Sequence, residues 1–121
     1  MEDSLATVIR KFGPDSGPAA RGRASVANQL ESMGRLAEAR LLREEALAAH
    51  RRNVGDDDEQ TLVAEGWLAV NLVKSGLREE AKAHFSHVYE VRLRTLGLEH
   101  ELTQWIGRWL ASTDTEGDSG R

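Results

Sequence analysis

The chain has no cysteine, which excludes a disulfide framework, a thiolate metal site and a cysteine nucleophile, and suits a reducing, cytoplasmic setting. No apolar run approaches bilayer-spanning length, so no membrane partner is expected. The opening Met1-Glu2-Asp3-Ser4 carries acid where a secretion signal carries base. Positive charge is also in short supply. Sixteen basic residues against twenty acidic ones leave a net charge of −4, without the basic footprint of a nucleic-acid binder. There is no phosphate loop, no Gly-x-Ser-x-Gly and no Gly-x-Gly-x-x-Gly, and His50 and His100 lack a serine-and-acid context. No enzyme activity and no cofactor are expected from such a sequence. What is present suffices for a core: 40% hydrophobic and 30% charged residues over 121 positions are those of one folded domain.

The chain repeats itself. Gly13, Gly55 and Gly97 lie 42 residues apart, and so do Gly34 and Gly76. At the same offset Leu30 matches Leu72, Glu38-Ala39 matches Glu80-Ala81, and Arg52 matches Arg94. Thr61 matches Thr103, and Trp67-Leu68-Ala69 matches Trp109-Leu110-Ala111. Glycines in phase with the residues between them define a repeat array.

Each period reads as two helices. Asp56, Asp57 and Asp58 offer oxygens to the free N–H groups of a helix start. On a helical wheel Leu62, Leu68, Ala69, Leu72 and Val73 form one apolar arc, and Val63, Trp67 and Val70 another. A helix apolar on most sides lies between neighbours. Gly76 ends it in a left-handed cap, and Gly97 is expected to close the following helix in the same way. That second helix starts near Arg78 and turns Leu77, Ala81, Phe85, Val88, Tyr89 and Leu96 to one face. The preceding unit has a helix from about Pro18 to Gly34 and another over Leu36–Val54. Leu5, Val8, Ile9 and Phe12 form the tail of an earlier second helix, and Leu102, Ile106, Trp109 and Leu110 a last first helix.

A small-residue helix, Gly, four residues, Ala and a second helix make a pattern that resembles the tetratricopeptide repeat. Leu68-Ala69, Leu72, Gly76, Ala81, Phe85 and Val88 stand at that family's packing positions. The long period and the linker Gly55-Asp56 to Thr61-Leu62 resemble its kinesin-light-chain type. No linker keeps His-Pro intact, and Arg43 replaces the aromatic that Phe85 supplies. The resemblance implies an all-α fold, antiparallel helix pairs stacked as a short right-handed superhelix of about two and a half repeats. Its units are residues 16–54, 58–96 and a half unit 99–112, after a leading helix 3–12. Residues 1–112 form a single domain and 113–121 a disordered tail. The half units at both ends fit one end of a longer array as well as a short array capped by its first helix.

The resemblance also implies a protein or peptide partner held in a concave groove lined by first helices. The groove positions map onto Arg21, Asn28, Val63, Val70, Lys74, Trp105 and Arg108. The clamp for C-terminal carboxylates needs a basic residue one turn before the asparagine, and Ala24 stands there instead. The residues themselves give a second reading. Trp105, Ile106, Trp109 and Leu110 are four large apolar residues within six positions, and they cannot all turn inward. They would serve self-association as a homodimer, a structural or regulatory scaffold built on one patch used twice.

Other clusters have plainer readings. Trp67 is expected in the core or an interface, with Trp109 the more exposed of the two. His84, His87 and Glu80 fall within one arc of a helix but lack a metalloprotease spacing, so a surface without metal is expected. Asp56 to Glu59 lacks the glycine and glutamate of a calcium loop and reads as a cap. Arg40, Arg43 and Arg51 with Glu44 read as a solvated, internally paired face.

Overall fold

The computed structural model describes residues 4–119, with side chains described as far as Asp114. Six helices follow one another: α1 (Leu5–Phe12), α2 (Gly17–Ser32), α3 (Leu36–Val54), α4 (Glu59–Lys74), α5 (Arg78–Leu96) and α6 (Glu101–Ser119). No strand occurs among the described residues. The all-α architecture is therefore that of a helical repeat. α6 runs on through residues 113–119 of the expected disordered tail; residues 120 and 121 of that tail lie outside the described residues.

Local chemistry sets the helix starts. Ser4 Oγ accepts from the Thr7 N–H at 3.2 Å and Ser16 Oγ from the Ala19 N–H at 3.1 Å. Each satisfies a donor that the first turn leaves without a partner. Pro18 sits in the first turn of α2, where its missing N–H costs nothing. Asp58 Oδ1 accepts from the Gln60 N–H at 2.9 Å, so the acidic run does cap α4.

Two kinds of glycine junction connect the helices. Within a repeat the Arg35 N–H reaches Leu30 O at 2.9 Å and the Gly34 N–H reaches Glu31 O at 3.0 Å. The Leu77 and Gly76 amides do the same to Leu72 O at 2.8 Å and Val73 O at 3.0 Å. These are Schellman turns, with φ of 80° at Gly34 and 82° at Gly76. The other junctions correct the expectation for Gly97. It has φ 89° but ψ 163°, and Gly13 and Gly55 match it with φ 97° and ψ 154° and 166°. That extended ψ with positive φ is open essentially to glycine alone. It leads the chain into a turn in which the Ser16 N–H meets Gly13 O, and the His100 N–H meets Gly97 O, each at 3.4 Å.

The chain divides into two compact units, Met1–Ala64 and Glu65–Arg121. A repeat array builds its core from near neighbours only, so compactness is local. In the first unit α1 packs on α2 and α2 on α3. Its core is rich in small side chains: Ala19, Ala20, Ala27, Ala39, Ala46 and Ala49 are at most 2% exposed, with Leu47 and Leu62 the larger buried residues beside them. Ala20, Ala46 and Ala49 touch in one cluster, which lets the two backbones approach closely. Arg43 is buried there too, correcting its reading as part of a solvated face. Its Nε and Nη2 donate to the two oxygens of Glu31 at 2.8 and 2.9 Å, and Nη2 also donates to Asn28 Oδ1 at 2.6 Å.

In the second unit α5 packs on α6 around larger side chains, with Leu68, Leu72, Phe85, Val88, Val91 and Ile106 all buried. Phe85 is fully buried, a burial that stabilises by about 1.5–3 kcal/mol. Leu77 and Leu96, expected on the inner face of α5, are 37% and 39% exposed because they flank its ends.

Candidate functional site

The second unit carries an aromatic face built from two helices. Trp105 and Trp109 stand one turn apart on α6, so they project from the same side. Trp67 on α4 meets Trp105 with ring centroids 5.5 Å apart, and Trp105 meets Trp109 edge to face at 6.4 Å. Trp109 in turn stacks on the buried Phe85 at 5.7 Å with planes 17° apart. Four rings thus run in contact from core to surface, each pair in a geometry that favours aromatic quadrupoles. Gly66 lies beneath them: a Cβ there would stand 3.7 Å from Ile106 Cδ1 and 3.9 Å from Trp105 Cζ3. Trp105, Trp109, Arg108 and Ser112 line an open cavity of about 440 Å³. Two indole faces beside a guanidinium can receive an apolar or aromatic side chain together with a carboxylate.

The same unit holds a buried carboxylate between two imidazoles. Glu65 is 2% exposed. His87 Nδ1 lies 2.7 Å from its Oε1 and His84 Nδ1 2.9 Å from its Oε2. Burial alone would raise the Glu65 carboxyl, but the hydrogen bonds and charge of His84 and His87 outweigh it and hold the group below its ordinary value. Sequence reasoning grouped the histidines with Glu80, which is exposed. The available signal was that Glu65 is the one charged residue between Leu62 and Val73. Among the described residues no group of three or more His, Asp or Glu is placed to hold a metal ion.

The groove positions meet different fates. Arg21, Asn28 and Val63 are exposed in the first unit, and Lys74 and Arg108 in the second. Asn28, expected to pair with a peptide backbone, has its carbonyl oxygen engaged by Arg43. Arg21 donates to Gln60 Oε1 at 3.4 Å. Val70 is only 4% exposed and is a core residue, which corrects its assignment to the groove. On an almost wholly apolar helix the wheel did not separate the groove arc from the packing arc. Of the predicted residues, the structure brings Trp105 and Arg108 together at one cavity.

Ile106 is likewise corrected. It is 1% exposed and points at Gly66, inside its own unit, so it cannot contribute to a self-association patch. Trp105, Trp109 and Leu110 remain half-buried. The order expected of the repeat-equivalent tryptophans is reversed: Trp67 is 45% exposed, while Trp109 is half-buried against Phe85. The residue one period before Phe85 is Arg43, not an aromatic.

Residues 23–59 fit the family model of the tetratricopeptide repeat. The matched stretch starts within α2, covers α3 and ends at the first residue of α4. No curated protein matches the chain.

Proposed function

We propose that this helical-repeat chain is a non-catalytic protein-interaction module whose second unit grips a peptide or protein segment on its aromatic face. The tetratricopeptide match supports the general class, because that repeat is a protein-interaction fold. The observation that carries the finer reading is Trp67, 45% exposed while its ring rests on Trp105. Interface hot spots are enriched in tryptophan and arginine, and here Arg108 borders the indoles. The favoured segment has a large apolar or aromatic side chain near a carboxylate. Arg21, Val63 and Lys74 belong to the same groove reading as exposed single positions. The 42-residue spacing of Gly13, Gly55 and Gly97, with their common backbone conformation, supports a kinesin-light-chain-like form. A cytoplasmic setting accords with the lack of cysteine.

A second reading, a two-fold homodimer through α6, draws on the partial exposure of Trp105, Trp109 and Leu110, but lacks Ile106 at its centre.

Selection from a displayed random peptide library tests the first reading. Peptides enriched on the native chain should share an apolar or aromatic residue beside an acidic one. They should lose at least tenfold in affinity to both Trp67→Ala and Arg108→Ala. Equal binding to native and variant proteins would remove the aromatic face from the function.

A further inference from the structure

One position in the helix-pair interface has three versions along the chain. In the first repeat Ala20 of α2 packs against Ala46 and Ala49 of α3. One period later the same positions are Leu62, Val88 and Val91, all at most 3% exposed. The third version is divided between the two ends of the chain: Gln104 on α6 stands one period after Leu62, while Ser4 and Thr7 stand one period before Ala46 and Ala49. Gln104 and Ser4 are exposed and Thr7 is half-buried. Ala111, one period after the buried Ala69, is exposed as well. α6 thus presents a face that α2 gives to α3, and α1 presents the matching face of a second helix.

The charges follow the same register. In the first repeat Arg52 Nη2 on α3 donates to Asp15 Oδ1 at 2.7 Å, and Asn53 Nδ2 donates to Asp15 O at 2.7 Å. One period before Arg52 and Asn53 stand Arg10 and Lys11, in the last turn of α1. Two periods after Asp15 stands Glu99. Glu99 sits in the turn after Gly97, which has the backbone conformation and turn hydrogen bond of the turn after Gly13. Arg10 and Glu99 are both exposed, and Arg10 donates within its own helix to Thr7 Oγ1 at 3.4 Å.

From this register we infer that copies of the chain associate head to tail, α1 of one copy lying along α6 of the next to complete a repeat. Arg10 and Lys11 of one copy meet Glu99 of the next, as Arg52 and Asn53 meet Asp15. Gln104 meets Ser4 and Thr7, three polar groups capable of mutual hydrogen bonding, where the intact repeat has three alanines. A polar outer face is what any terminal unit needs for solubility. Solubility does not require opposite charges at the two positions that pair in the intact repeat. The contact is heterologous, so each added copy exposes a fresh head or tail, unlike a two-fold dimer that stops at two. Being polar, it is weak and loosens with salt. This inference does not rest on the peptide-binding reading; Arg108, one turn after Gln104, borders both surfaces, and Trp67→Ala is the variant that separates them.

Sedimentation velocity over a hundredfold range of concentration, in low and high salt, tests it. At low salt the average mass should climb continuously from 13.4 kDa past two copies, and fall back in high salt. Arg10→Glu and Glu99→Arg, both exposed changes, should each hold the protein at one copy, with unchanged helical circular dichroism. An equimolar mixture of the two variants should recover the growth, because each then offers the charge that the other lacks. A single-copy mass at every concentration, a mass that stops at two copies, or growth indifferent to Arg10→Glu would each overturn the inference.

Discussion

Arg43 and Phe85 stand one repeat apart, 3% and 0% exposed, and fill the same place with opposite chemistry. Phe85 stacks on Trp109, whereas the Arg43 guanidinium lies across the Glu31 carboxylate and reaches Asn28. A buried cation is tolerated only when its donors find acceptors, and this one finds a two-pronged carboxylate and an amide. The arrangement also explains why Asn28 is not simply available to a ligand.

Arg43→Ala should therefore cost more than a surface arginine would. Removing one partner of a buried pair costs about 3–5 kcal/mol. The low end applies here, because the Glu31 side chain keeps 14% exposure and can partly rehydrate. Urea unfolding of native and variant protein measures the loss, and Arg40→Ala on the same helix supplies the control. A loss under about 1 kcal/mol would place the pair among ordinary surface bridges.

His50 gives a pH dependence of determinate sign. It is 6% exposed, and burial, helped by the charge of Arg21 and opposed by Asp58, lowers its pKa below the ordinary 6.5. The unfolded chain therefore takes up a proton before the folded one does. Its contribution is full above pH 6.5 and is lost as the pH falls from there through the folded value. Tm measured between pH 8 and pH 5.5 should decline less steeply for His50→Gln than for the native chain. Parallel curves would show that His50 titrates alike in both states.

Glu65 acts in a lower window. Its folded pKa lies below the ordinary 4.5, so its stabilisation is present above pH 4.5 and disappears as the pH falls through the folded value. Glu65→Gln should cost about 1.5–3 kcal/mol at pH 7, the worth of a hydrogen bond to a charged group. The gap between variant and native protein should close on acidification below pH 4.5. Chemical unfolding at several pH values reads this directly, and a gap that stays constant would mean that the carboxylate charge contributes nothing.

The repeat was legible because its punctuation is glycine. Only a residue without a Cβ holds φ near 90° with an extended ψ, so Gly13, Gly55 and Gly97 had to recur wherever the backbone did. Helical class followed from that spacing and from the wheels. The interior was less legible. Hydropathy marks Glu65 and Arg43 as surface residues, because the partners that make their burial tolerable come from other helices. The burial of Val70 was hidden for a related reason: on a helix apolar nearly all round, as α4 is, periodicity does not say which apolar face meets water. Trp105 and Arg108 were legible together through the resemblance, but the rings that complete their face were not.

The contrast between the alanine interior of the first unit and the large side chains of the second has a consequence for the order in which the chain comes apart. Alanine methyls bury little apolar area, so beside Leu47 and Leu62 the first unit relies on the buried Arg43–Glu31 tie, while the exposed Arg52–Asp15 pair adds little. Phe85, Ile106, Val88 and the tryptophan stack give the second unit far more buried carbon. In an array whose units are only neighbour-coupled, such inequality becomes a gradient of local opening. The amides of α2 and α3 therefore exchange with solvent ahead of those of α5, and the molecule frays from its amino-terminal side.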